Sequence, residues 1–175
     1  ELEPLLERLA DAGISVWQLQ VTAAFGNAAD RPELLLQPYE LLEVFEDLDR
    51  ILVRARQLGV RIFPANSLGY FGPSETHLRQ GQSVAAHYQG CHAGRASMGI
   101  EADGRIKGCP SLGGPENWAG LYEPGNLREL WETGEAIAYT RDRGESHLWG
   151  YCAECYYRSV CRGGCTAVAE PLMGR

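Results

Sequence analysis

Residues 152–165 read Cys152-Ala153-Glu154-Cys155-Tyr156-Tyr157-Arg158-Ser159-Val160-Cys161-Arg162-Gly163-Gly164-Cys165, a run spaced Cys-x2-Cys-x5-Cys-x3-Cys. Two further cysteines, Cys91 and Cys109, bracket Gly104 upstream as Cys-x12-Gly-x4-Cys, and with them every cysteine of the chain is accounted for. Thiols packed this densely into one half of a chain are metal ligands or disulfides. Iron–sulfur cubanes take four thiolates each, and a Cys-x2-Cys turn supplies neighbouring corners. Structural zinc also takes four cysteines on such knuckles. Two cubanes would need eight ligands and a zinc pair as many, so six fall short for either metal. Spacing favours iron–sulfur, with zinc and disulfides as the open alternatives.

Bulk properties narrow the field further. The chain has 175 residues, 45% apolar and 22% charged, enough to bury a core. Its formal net charge of −7 argues against a nucleic-acid binder, which needs a basic face. No apolar run reaches the roughly 18 residues of a membrane span. The opening Glu1-Leu2-Glu3-Pro4-Leu5-Leu6-Glu7-Arg8 has neither the basic start nor the apolar centre of a signal peptide. A cytoplasmic setting is expected, where reduced thiols favour ligation over disulfides.

Working upstream from the cysteines, the texture divides. Residues 1–65 read as α/β. Pro4 suits a first helical turn, Leu5, Leu6 and Leu9 form an apolar face, and Gly13 ends the helix. Ile14–Val21 is β-rich with near alternation, so Trp17, Leu19 and Val21 are expected against helices, with Gln18 and Gln20 on the other face. After Pro38, the residues Leu41, Leu42, Phe45, Leu48, Ile51, Leu52, Ala55 and Leu58 keep helical spacing, and Gly59 stands at the cap position. Val60–Pro64 is a short strand. The order helix, strand, helix, strand implies parallel neighbours. Two strands and two helices cannot cover both faces of a parallel sheet, so further strands are expected before residue 1.

Residues 66–87 read as a linker and residues 88–175 as a Gly- and Pro-rich domain. Its clearest element is a hairpin, Ser97–Ala102 returning through Asp103-Gly104 to Arg105–Lys107, with positive φ expected at both turn residues. Its return carries Cys109 back toward Cys91. Gly125–Trp131 reads as a loop entering a short helix. Gly113–Asn117 lacks the Lys-Ser/Thr of a phosphate cradle and is a loop.

The six-cysteine order resembles the seven-cysteine signature of SPASM domains, the auxiliary-cluster portions of radical S-adenosylmethionine enzymes that modify peptides and proteins. Cys109-Pro110-Ser111-Leu112, Gly125-Asn126-Leu127 with Leu130-Trp131, and Val160-Cys161-Arg162-Gly163-Gly164-Cys165 are also similar to that family. The likeness covers roughly residues 88–175. The α/β half resembles, by order alone, the end of such an enzyme's partial (β/α)6 barrel.

That resemblance implies that Cys91, Cys109 and Cys165 hold a first auxiliary 4Fe–4S cluster and Cys152, Cys155 and Cys161 a second. It implies S-adenosylmethionine and a third 4Fe–4S cluster in a longer enzyme, a peptide or protein substrate, and an external electron donor. The family's seventh cysteine is absent, and so is the one that some relatives carry between the first two. The first cluster is therefore expected to keep an open iron or another ligand, for which His92 is the nearest candidate. The Cys-x3-Cys-x2-Cys that binds the catalytic cluster is also missing: Cys161 and Cys165 begin it, but position 168 is Val168. Residues 1–175 alone are thus expected to be catalytically silent. Gln18 and Gln20 are the candidates for touching S-adenosylmethionine at the barrel mouth.

Beside the ligands, Gly108, Gly163 and Gly164 suit backbone N–H groups approaching sulfur, or simply turns. Tyr151, Tyr156 and Tyr157 are expected to pack over the last cluster and shield it from water. Glu40, Glu43, Glu46, Asp47 and Asp49 mark a solvated helix face. Two other function classes compete: a zinc-stabilised interaction module, and a ferredoxin-like electron carrier, in which the α/β half would be idle.

Overall fold

A computed structural model describes residues 1–69, 72, 74–79 and 87–173. It is a mixed α/β fold with two small sheets and, among the described residues, eight α-helices. The chain divides into two compact units, one formed by residues 1–89 and 168–175, the other by residues 90–167. No helix among the described residues is long and apolar enough to cross a membrane.

The first unit repeats one local device. Helix α1 (Leu2–Asp11) and helix α2 (Leu41–Gln57) each stop at a glycine, Gly13 and Gly59, with φ of 74° and 72°. Both ends close as Schellman motifs, Ile14 N–H to Leu9 C=O and Val60 N–H to Ala55 C=O, each 2.9 Å. Each turn then feeds a strand, β1 (Val16–Leu19) after α1 and β2 (Arg61–Pro64) after α2. The strands pair in parallel with Val16 opposite Arg61 and Leu19 opposite Pro64. Leu6, Leu41, Phe45, Leu48, Ile51, Leu52, Ala55, Val60 and Ile62 make the core, with Trp17, Leu19 and Val21 packed on it.

Two core assignments need correcting. Leu5 and Leu42 are exposed, at 44% and 69%, because each lies beside the apolar stripe of its helix and not within it. From the stretch expected as a linker, Leu68 and Leu78 join the same core. Glu75 and Arg79 on α3 (Glu75–Arg79) form a buried ion pair at 2.7 Å, and Arg79 also donates to Leu68 C=O at 2.9 Å. Residues 70, 71, 73 and 80–86 of that stretch lie outside the described residues.

In the second unit, strands β3 (Gly99–Ile100), β4 (Arg105–Lys107) and β5 (Trp118–Leu121) form an antiparallel meander. The hairpin stands where the sequence places it, but its turn differs. Gly104 N–H bonds Glu101 C=O and Glu101 N–H bonds Arg105 C=O, both at 2.9 Å, giving a three-residue loop. In that loop only Gly104 has positive φ, at 86°, and Asp103 does not. Asp103 instead accepts a bond from Arg105 N–H at 3.1 Å. Strand β5 is an addition the sequence did not signal. Beyond it come α4 (Leu127–Thr133) and α5 (Glu135–Ala138), whose Ile137 is fully buried. The loop after Cys91 seats on α5 so closely that a Cβ on Gly94 would stand 1.6 Å from Ile137 C=O. Thr140 Oγ1 donates to Ala93 C=O in the same seam.

Candidate metal centre

The cysteine run folds into two one-turn helices, α6 (Tyr151–Glu154) and α7 (Arg158–Cys161), ahead of α8 (Thr166–Met173). Cys152 lies on α6, Cys155 just past its end, and Cys161 is the last residue of α7. Cys155 C=O accepts Arg158 N–H at 3.1 Å, closing the turn between the helices. This folding brings Cys152, Cys155 and Cys161 into one electrostatic neighbourhood. Burial first, and to a lesser degree the nearby Cys152 and Cys155, push the Cys161 thiol up to about 11. Partial burial of its thiol, with Cys155 nearby, raises Cys152 as well. Opposing these effects, the backbone N–H groups of Gly164 and Gly163 pull the Cys161 thiol down, and Gly164 N–H donates to the Cys161 carbonyl at 3.2 Å.

The backbone that carries these two N–H groups is strained. Arg162, Gly163 and Gly164 take successive φ values of 52°, 81° and 75°, a left-handed turn. Arg162 is the sole non-glycine residue with positive φ among the described residues. An L-residue there costs roughly 1–2 kcal/mol. Successive N–H groups curled to one side form a concave nest, an arrangement used to hold phosphates and iron–sulfur clusters. Strain of this kind persists where the surroundings over-determine it, and it clusters at functional sites.

The other three cysteines are placed differently. Cys91 is buried, while Cys109 and Cys165 are half-buried. Gly90, beside Cys91, rests on the end of α7: a Cβ there would stand 3.1 Å from Cys161 C=O and 3.2 Å from Val160 C=O. The hairpin brings Gly108 to within the same range of the loop after Cys91, its Cβ position lying 3.4 Å from Gly94 N. Pro110 covers Gly99 across the hairpin, 2.8 Å from the Cβ position. Residues next to Cys91 therefore adjoin both the last cysteine run and the hairpin return. No disulfide joins any of the six thiols. Among the described residues, no three Cys, His, Asp or Glu side chains are drawn together into a group that could hold a metal ion.

His92 is exposed; its carbonyl accepts Arg95, Ala96 and Ser97 N–H groups, so its backbone organises the loop. Gln18, on β1, and Gln20, just past its end, are exposed. Tyr151 and Tyr156 do not shield anything: they are 85% and 87% exposed, and Tyr157 is 43% exposed with its ring edge-on to Tyr156. The one-turn helices are too short to offer an inner face, so these rings point to water. Gly108 is packed against Ile137 and Tyr139 side chains, so its role is close approach. Arg143, which no motif flagged, reaches the left-handed turn from a distant loop. The chain matches no protein-family model, no curated protein and no solved structure.

Proposed function

We propose that residues 90–167 bind iron–sulfur clusters, with Cys152, Cys155 and Cys161 holding one of them and Cys91, Cys109 and Cys165 contributing to another. The observation that carries this reading is Cys161: a half-buried thiol near Cys152 and Cys155, followed directly by the left-handed run Arg162, Gly163 and Gly164. The donor type suits the cofactor, since cubane irons take thiolates, and binding would have to draw the three thiols together from where the metal-free chain holds them. Ligation would replace the proton that burial holds on Cys161, and the Gly163 and Gly164 dipoles would face the anionic sulfur.

The larger assignment, to the auxiliary-cluster portion of a radical S-adenosylmethionine enzyme acting on a peptide or protein, rests on cysteine order and the family-like text around it. In that reading the cofactors supply the radical chemistry, and this chain's residues position an electron-accepting or substrate-anchoring cluster. Gln18 and Gln20, on the exposed side of β1, remain its candidates for meeting S-adenosylmethionine.

Iron, sulfide and zinc analysis with a visible spectrum, after anaerobic reconstitution of the 175-residue chain, tests the proposal. Broad absorbance in the blue with several irons and sulfides per chain supports it, and replacement of Cys161 by Ser should strip iron from the Cys152–Cys155 group. Colourless protein holding zinc in the presence of iron and sulfide would leave a zinc-stabilised module instead.

A further inference from the structure

We propose that Cys152 and Cys155 form a redox-active dithiol: in the metal-free chain, a low-molecular-weight disulfide oxidises them to a bridge within the single turn of α6. That this bridge would deny both thiols to a metal rests on the cluster reading above. Its formation does not.

The two cysteines are placed by one element. Cys152 is the second residue of α6, and Cys155 follows the last with a helical φ of −66°, so its Cβ stands where a further helical residue would carry it. Positions three apart on such a turn lie about 5 Å apart at Cα and about 5–6 Å at Cβ. A disulfide spans about 4.4–6.8 Å at Cα and about 3.5–4.5 Å at Cβ. The Cα spacing already suits a bridge, and the Cβ gap closes with a shift of about 1–2 Å. The remaining cysteines are set differently. Arg162, Gly163 and Gly164 all have positive φ, which takes Cys161 and Cys165 off any common helical turn. Cys152 is exposed, whereas Cys91 is buried and the other four are half-buried. A soluble oxidant therefore reaches Cys152 first.

With oxidised glutathione as the oxidant, the Cys152 thiolate attacks one glutathione sulfur. The glutathione S–S bond breaks, and one glutathione leaves as thiolate and takes up a proton. The Cys155 sulfur then attacks the Cys152 sulfur and expels the second glutathione. Two protein thiols have lost two electrons, and one glutathione disulfide has become two thiols. Partial burial first, and then Cys155, hold the Cys152 thiol above its ordinary value, which slows the attack without changing the pair that closes.

The test treats the full, metal-free, reduced chain with oxidised glutathione, blocks the remaining thiols by alkylation, and maps the tryptic peptides by mass spectrometry. The peptide spanning residues 144–158, which holds Cys152 and Cys155 alone, should lose two hydrogens while Cys161 and Cys165 stay alkylated. Cys155→Ser should stop at a glutathione adduct on Cys152. A first bridge to any other cysteine, or an adduct that persists on Cys152 in the wild-type chain, overturns the dithiol. Because a short spacing favours closure even without structure, the equilibrium with glutathione is also measured in urea. The folded chain should favour the bridge at least about tenfold more than the unfolded one. Equal values would mean that α6 does not hold the pair, and would overturn the inference. After reconstitution with iron and sulfide, closure should slow by at least about tenfold, since ligated thiolates are not free to exchange. Closure at an unchanged rate in an iron-loaded chain would remove Cys152 and Cys155 from the cluster. Should the wild-type chain take up no iron or sulfide, the cluster reading fails, while the peptide map still decides the dithiol.

Discussion

The two units of this chain are held by different means. The first unit builds regular helices whose apolar stripes close on a parallel strand pair, giving one core from Leu6 to Leu78. Residues 90–167 instead use close backbone approaches, as at Gly90 and Gly94, together with polar pins. Examples are Thr140 on the Ala93 carbonyl and Arg141 on the Trp131 carbonyl. Around residues 149–160 the second unit exposes Trp149, Tyr151, Tyr156, Tyr157 and Val160, with little apolar burial in return. The first unit owes its shape to the hydrophobic effect. The cysteine segment buries little apolar surface of its own, as the metal-stabilised site proposed above requires.

That contrast can be broken by substitutions in each region. The largest effect is expected from Leu48→Ala, since Leu48 is fully buried at the centre of α2. It should cost roughly 3 kcal/mol in denaturant unfolding whether or not metal is present. A loss that depended on metal would erase the distinction between the units.

The next effect lies at Cys161. Its thiol, raised to about 11 from an ordinary value of 9.0, should carry roughly a hundredfold less thiolate at pH 8 than a free cysteine. Alkylation of the metal-free chain, mapped by mass spectrometry, should be correspondingly slow there and accelerate as pH rises toward 11. The folded state holds this proton more tightly than the unfolded chain. The stability it contributes is therefore complete below about pH 9 and lost as pH climbs through about 11. Fast labelling of Cys161 at pH 8 would show that the segment is open in solution.

A smaller change follows from Gly163→Ala, which places a side chain at φ of 81° and 3.3 Å from Leu148 Cδ2. It should destabilise the second unit by roughly 1–2 kcal/mol and weaken metal retention, leaving α2 exchange untouched. A Gly163→Ala variant as stable as wild type would mean the turn is not left-handed in solution. The smallest effect belongs to Arg54→Ala. The Arg54–Glu7 pair at 2.7 Å ties α2 to α1, but its partners are 40% and 39% exposed. Its loss should be detectable only at low salt and vanish in salt-titrated thermal melts. Persistence at high salt would indicate that the first unit relies on polar pins as the second does.

How much of this was legible in advance follows the same divide. Both Schellman ends could be read, because Gly13 and Gly59 each close an apolar period and precede a β-rich run. The parallel pairing followed from element order. Leu5 and Leu42 were misplaced because a leucine one position off the stripe looks identical in composition. Asp103-Gly104 located the hairpin, but Asp103 could satisfy the turn with its side chain, so a second positive φ was not needed. The tyrosines beside Cys152 and Cys155 misled, since aromatic residues near thiols suggest packing, and only the brevity of α6 and α7 exposes them.

Sequence alone determined the donor chemistry: six thiols, their spacing, and a Gly163-Gly164 pair able to bend backbone next to Cys161. It also determined the helical stripes and their glycine stops, because these depend on neighbours within a few residues. The tertiary structure decided which groups meet. Gly90 on the end of α7 and the Arg143 clamp across the turn from Arg162 to Thr166 join residues far apart in the chain. No local pattern encodes such contacts. They exist because the intervening chain has closed its loops and brought distant backbone within hydrogen-bonding reach.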